Sequence, residues 1–134
     1  TDIWELMNDL NVQTLLNSTA AVVPHMIERG GGKIVTIGAN AALRGVPGMG
    51  SYCAAKSTVM RLTESMAGEL RTKSINVNCV MPSIIDTPVN RADMPDANPA
   101  HWVTTADLAS VIMFLCSEEA NAIHGALVPV VGLS

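Results

Sequence analysis

Tyr52 and Lys56 stand four residues apart within the stretch Gly38–Lys56, GANAALRGVPGMGSYCAAK. On a helix that spacing puts both on one face, so a phenol and an ammonium become neighbours. A nearby cation stabilises phenolate and lowers the tyrosine pKa, which suits the group to proton donation near neutral pH. A buried tyrosine and a surface lysine that merely share a helix face would show the same spacing. The elements that must hold the pair therefore carry the weight.

Residues 1–29 read as helix, with Ile3, Leu6, Met7, Leu10, Leu15, Leu16, Val22, Val23 and Met26 forming a broad apolar face. Pro24 is expected to kink it, and Gly30-Gly31-Gly32 ends it. Lys33–Gly38 is a short apolar strand. Residues 49–71 form a second helix, in which Tyr52, Ala55, Val59, Leu62, Met66 and Leu70 recur at three and four. Ser74–Val80 is a second strand. There Ile75, Val77 and Cys79 alternate with Asn76 and Asn78, whereas a central parallel strand favours apolar residues on both faces; the two asparagines are expected to find partners on neighbouring loops. The connection Met81–Val103 carries Pro82, Pro88, Pro95 and Pro99. A connection longer than about 12–15 residues in a compact domain is functional or disordered, and Ile84, Ile85, Met94 and Trp102 favour a partly ordered lid over residues 83–104. Thr104 with Asp107 caps a third helix, whose buried stripe is Leu108, Val111, Ile112 and Leu115. Residues 126–131 form the last strand, and Pro129 makes it an edge. Strands alternating with helices imply parallel pairing and right-handed crossovers. The fold class is α/β: one partial domain over residues 1–134, half of a Rossmann-like doubly wound parallel sheet with three strands and three main helices.

This order resembles the second half of the short-chain dehydrogenase/reductase family. The carriers are Gly32-Lys33-Ile34-Val35-Thr36-Ile37 as strand, Tyr52 and Lys56 in the helix, Ile75-Asn76-Val77-Asn78 as the next strand, and Pro82, Ile85 and Thr87 after it; together they cover nearly the whole chain. The resemblance implies NAD- or NADP-dependent hydride transfer. Tyr52 would donate the proton, and Lys56 would hold the nicotinamide ribose hydroxyls while depressing the Tyr52 pKa. Asn11, in the Asn-Val that follows Trp4–Leu10, would hold a water that relays protons through the lysine. Pro82, Ile85 and Thr87 would contact the cofactor, with Ser83 where the family usually has glycine.

One departure narrows the resemblance. Thirteen residues before Tyr52, where the family has a serine that hydrogen-bonds the substrate oxygen, this chain has Ala39. Losing such a donor costs about 2.7–4 kcal/mol of barrier. Alanine there is similar to the dihydropteridine reductase-like subgroup, as are Ala41-Ala42-Leu43, Gly45, Pro47-Gly48-Met49 and the lid residues Asp86-Thr87-Pro88, Asn90-Arg91, Met94-Pro95, Ala97 and Trp102. A quinonoid ring is already electrophilic and needs a polarising serine less than a ketone does. The implied substrate is therefore quinonoid and pteridine-like, or a carbonyl compound, and Ala39, Met94 and Trp102 are its expected neighbours.

No Gly-rich turn follows a strand and opens a helix, as a dinucleotide fold requires; Gly30-Gly31-Gly32 precedes a strand, the wrong polarity for a pyrophosphate. The resemblance implies that an absent first half supplies the adenine and pyrophosphate sites and the NAD-or-NADP selector. Strand Lys33–Gly38 is then expected to present an open edge, and self-association to cover it. In the family the first two helices pair with their copies, which implies a homodimer or larger assembly. Two readings stand. In one the chain is the catalytic half of an oxidoreductase, active in a longer parent or with a complementing half. In the other it is a truncated, non-catalytic remnant that only self-associates.

Composition bounds the rest. With 49% hydrophobic, 15% charged and 3% aromatic residues, the core must be aliphatic, filled by Val, Ile, Leu, Ala and the 8 Met. No apolar run reaches the roughly 18 residues of a membrane span, and no basic segment with a following apolar block opens the chain. A net charge of −4 argues against a nucleic-acid partner. Cys53, Cys79 and Cys116 are odd in number and lack metal-ligand spacing, so they read as reduced core residues of a cytoplasmic protein. His25, His101 and His124 also lack metal spacing, and Arg44 and Arg91 read as solvated loop residues.

Overall fold

The computed structural model describes residues 2–134. Helix α1 (Asp2–Asn8) passes through a wide π turn at Asp9–Gln13 into α2 (Thr14–Arg29). Gly30 closes α2 at φ 94°, donating its N–H to Met26 and Ile27 carbonyls, a backbone conformation that favours glycine. Strand β1 (Gly32–Ile37), helix α3 (Gly50–Leu70) and strand β2 (Ile75–Pro82) follow. Residues 83–104 contain the short helix α4 (Pro88–Asp93) and a 3-10 turn at Pro99–His101. Helix α5 (Thr105–Leu115) and strand β3 (Leu127–Val130) complete the chain. Thr104 caps α5 through its hydroxyl, which accepts from the Asp107 N–H at 3.0 Å.

The sheet order is β1-β2-β3, with both pairings parallel. Gly32 pairs with Ile75 and Ile37 with Val80; Cys79 pairs with Leu127 and Pro82 with Val130. This is the α/β, Rossmann-like half sheet expected from the alternation of elements. β1 and β3 are its edges, so Pro129 interrupts no interior ladder.

Every residue of β2 is buried, because both faces are covered. On one face Ala67 of α3 packs with Ile75 and Val77, joined by Met26 and Met66. Farther along that face Cys79 and Met81 meet Ala39, Ala42 and Met60. On the other face Val80, Val103, Leu115 and Val130 gather with Val111 and Ile112 of α5. The Thr36 hydroxyl on β1 and the Thr63 hydroxyl on α3 share a buried hydrogen bond of 2.6 Å.

The β2 asparagines find their partners on the loop after α5. Asn76 Nδ2 donates to the carbonyls of Asn121 and Ile123, each at 2.9 Å, and Asn78 Nδ2 donates to Ile123 O at 2.9 Å. Asn78 Oδ1 accepts from the Ala126 N–H at 2.8 Å. Lys33 Nζ donates to Asn76 Oδ1 at 3.1 Å and also to the Asn121 side chain.

α2 stays helical through Pro24, and the first helix departs from regularity at Asp9–Gln13. One local expectation is corrected. Cys116 is exposed, because it follows the last turn of α5; Cys53 and Cys79 are buried.

Candidate active site

Three elements converge at the ends of β1 and β2. α3 brings Tyr52 and Lys56, successive turns of one face; the π turn brings Asn11; and the chain leaving β2 brings Pro82 and Ile85. All five residues border one cavity of about 690 Å³, together with Met94 from the lid and with Ile37, Gly38, Asn40, Met49 and Asn90.

Lys56 Nζ donates to the Ile37 carbonyl at 2.9 Å, the last residue of β1. An ammonium has three N–H donors, so two remain for a ligand. The Tyr52 hydroxyl has no hydrogen-bond partner among the described residues. Burial pushes the Tyr52 phenol above its ordinary pKa, with a smaller contribution from Cys53. Burial also pushes the Lys56 ammonium below its ordinary value, against a smaller opposing contribution from Cys79. The expected lowering of the phenol is not seen: the causes of the Tyr52 shift do not include Lys56, whose ammonium is held on Ile37 O.

Asn11 sits inside the widened turn, where Nδ2 donates to the Met7 carbonyl at 3.0 Å. Its Oδ1 has no hydrogen-bond partner among the described residues. π turns recur at functional sites because they re-aim side chains that a regular helix would bury elsewhere. The turn also borders a second groove of about 370 Å³, shared by Asn11, Lys56 and four successive β1 residues, Ile34 to Ile37. Residues from both faces of β1 border it, as only an unpaired edge allows.

The other expected site residues lie elsewhere. Ala39 is buried against Met60, Cys79 and Met81 and does not line the cavity. Trp102 is buried in the packing after the 3-10 turn and does not border the cavity. Thr87 caps α4, its hydroxyl oxygen accepting from Asn90 N–H at 3.1 Å, and is not among the cavity's lining residues. Arg91 is held by Asp86 at 2.6 and 2.9 Å. Sequence reasoning missed Asn40 and Asn90. The signal for Asn40 lay beside Ala39 in the same loop. Among the described residues no three His, Cys, Asp or Glu side chains gather as metal ligands.

The short chain dehydrogenase family matches residues 1–98. The chain belongs to that family. The chain is 33% identical to dehydrogenase/reductase SDR family member 4 from Oryctolagus cuniculus, over 98% of its own length and 54% of the relative's. Among solved structures it resembles a gluconate 5-dehydrogenase from Burkholderia cenocepacia J2315 in complex with NADP and tartrate, with TM-score 0.90 and 30% identity over 98% of this chain and 56% of that one. It also resembles a 3-oxoacyl-[acyl-carrier protein] reductase from Brucella melitensis with bound NAD, with TM-score 0.84 and 32% identity over 98% of this chain and 51% of that one. The chain thus spans about half the length of the curated relatives it matches. No helix among the described residues is long and apolar enough to cross a membrane.

Proposed function

We propose that the chain is the catalytic half of a cytoplasmic NAD- or NADP-dependent oxidoreductase whose substrate is quinonoid and pteridine-like, or a carbonyl compound. One observation carries this reading: Tyr52 and Lys56 border the same cavity as Asn11, Pro82 and Ile85, with the phenol unpartnered and two ammonium N–H groups left over. Those groups fit the nicotinamide end of a dinucleotide. Lys56 would keep one N–H on Ile37 O and turn the others to ribose hydroxyls. Pro82 and Ile85 would flank the carboxamide, and the Thr87 hydroxyl, which only accepts from Asn90 N–H, keeps its own hydrogen for a phosphate. A bound nicotinamide supplies or takes up the hydride.

The chain's own residues handle the proton. Tyr52 holds it at neutral pH, as any phenol does, the more so because burial raises its pKa, and releases it to the substrate heteroatom. Lys56, turned toward the cofactor and phenol, stabilises the resulting phenolate. Asn11 Oδ1 positions a water that returns a proton through Lys56. Met94 closes the substrate side.

A second reading rests on the exposed apolar residues of α1 and the π turn, Ile3, Trp4, Leu6 and Leu10: a non-catalytic module that self-associates, as a homodimer through its first two helices. Calorimetric titration with NADH and NADPH separates the two. Micromolar binding supports the oxidoreductase; no binding at millimolar cofactor supports the module. Where turnover is measured, Tyr52→Phe should lower it about 10²–10⁴-fold with cofactor affinity unchanged.

A further inference from the structure

A second polar cavity lies at the other end of the sheet, where β1 and β2 begin. It holds about 470 Å³ and is bordered by Lys33, Arg71, Asn76, Glu118, Asn121 and His124. Four residue steps separate Lys33 from Ile37, about 13 Å of strand, so this cavity and the one beside Tyr52 occupy opposite ends of β1.

Three of its side chains have donors to spare. Lys33 Nζ donates to Asn76 Oδ1 at 3.1 Å and to Asn121 Oδ1. Those two bonds fix the ammonium and leave one N–H. Arg71, in the 3-10 turn that follows α3, is exposed and has no ion-pair partner among the described residues. His124 Nδ1 is buried without a hydrogen-bond partner, a state that buried polar atoms rarely keep. The ion pairs among the described residues are Arg61 with Glu64 and Arg91 with Asp86. Glu118 therefore borders the cavity without pairing with Lys33 or Arg71. A half-buried ammonium held by two neutral amides keeps its charge uncompensated, which is costly until an anion joins it. The helix ends nearby work the other way. α2 stops at Gly30 and the turn after α3 stops at Ser74, and C-terminal ends repel anions. The amides of Gly30, Gly31 and Ser74 are already bonded to backbone carbonyls, so an anion must be held by side chains alone.

We propose that this cavity is a second ligand site, which binds a phosphoryl group, free or esterified to a small alcohol. The remaining Lys33 N–H, the Arg71 guanidinium and His124 Nδ1–H each donate to it. These donors come from three different elements: β1, the turn after α3 and the loop after α5. A tetrahedral group with a charge near −2 and three or more acceptor oxygens can meet all of them, whereas a carboxylate offers two oxygens and one charge. Asn76 and Asn121 are positioning residues that hold the ammonium. Glu118 opposes the anion and keeps the affinity low. The site does not depend on the oxidoreductase reading.

A nitrogen-labelled sample of the 134-residue chain, titrated with inorganic phosphate, glycerol 3-phosphate or acetate at constant pH and ionic strength, tests it. Both phosphates should move the His124 imidazole resonances and the Gly31 and Ser74 amides, with acetate moving them less at equal concentration. Tighter binding of glycerol 3-phosphate would identify an ester as the ligand, and equal binding free phosphate. Arg71→Gln, at an exposed position, should weaken phosphate about tenfold, and Glu118→Gln should strengthen it. Lys33→Met should also weaken it; if that variant unfolds, Arg71→Gln decides alone. Unshifted β2 amides check the fold of each variant. The proposal is overturned if His124 stays still, if Arg71→Gln binds phosphate like the native chain, or if phosphate moves only resonances at the Gly38 and Tyr52 end. Equal shifts with acetate and phosphate would mean an adventitious ion only, and would overturn it too. Binding of NADH is read at the Tyr52 end and leaves this outcome unchanged either way.

Discussion

Burial sets the electrostatics of the Tyr52–Lys56 pair, and its two effects oppose each other in sign. Tyr52 has its pKa raised, so the folded chain keeps a proton that the unfolded chain loses above about pH 10. That stability is whole below the unfolded value and is lost as pH rises through the folded one. Lys56 has its pKa lowered, so the unfolded chain binds its proton more tightly, and stability rises with pH between the folded value and the ordinary lysine value. The two slopes partly cancel in the native sequence. Urea midpoints followed across alkaline pH should therefore fall more steeply in Lys56→Met than in the native chain, and less steeply in Tyr52→Phe; equal slopes in all three would refute both assignments. Because Tyr52 is the only tyrosine, phenolate absorbance reports it alone, and its midpoint should lie above 10. That Tyr52 and Lys56 share a face was legible from their helix spacing; Asn11, Pro82, Ile85 and Met94 came from the family resemblance, and they border the same cavity. Ala39 and Trp102 came from the resemblance too and do not line it; which way an extended or post-turn residue faces is decided by the core it packs against. The direction of the Tyr52 shift was missed for the same reason: sequence reveals the neighbouring cation and hides the desolvation.

At the scale of elements, periodicity found the helices and strands but not the devices that join them. A π turn adds one residue to a helical turn, which scarcely alters an apolar rhythm, so Asp9–Gln13 left no clear trace. Asn76 and Asn78 did leave one, as polar residues in a strand with no exposed face. They tie the loop after α5 to the central strand and so fix where β3 begins. Asn78 is fully buried, and Asn78→Leu would leave the Ala126 N–H without its acceptor. A buried donor stripped of its partner costs about 1–3 kcal/mol. We expect urea denaturation to show a loss of that order, and hydrogen exchange at Ala126 to accelerate by more than the global loss explains. Exchange at Ala126 that tracks only the global stability would show that the asparagine merely fills space. Asn76→Leu should act at the Asn121 carbonyl and at the Ile123 carbonyl that Asn78 also holds, leaving the Ala126 amide protected in proportion to the remaining stability.

The molecule as a whole presents two unfinished surfaces. β1 is an edge strand with a groove alongside it that Leu15, Val22, Ile34, Val35 and Val59 make largely apolar. α1 and the π turn expose Ile3, Trp4, Leu6 and Leu10, more apolar side chain in one place than scattered surface residues account for. An open edge templates further strand pairing, and an apolar helix face is stable in water only when covered. Self-association would cover both, and the two tryptophans would distinguish which surface is used. Trp4 is 53% exposed on α1, whereas Trp102 is 6% exposed in the interior. Association through the helices should therefore blue-shift fluorescence as concentration rises, in step with the sedimentation mass, and Trp4→Phe should abolish the optical change without altering the mass. Leu6→Glu with Leu10→Glu should shift the association to higher concentration. If the mass rises while Trp4 fluorescence stays constant, copies join along β1 instead. A monomer at the highest concentration reached would mean that neither surface drives assembly, and that the apolar helix face and the β1 edge are tolerated in water as they stand.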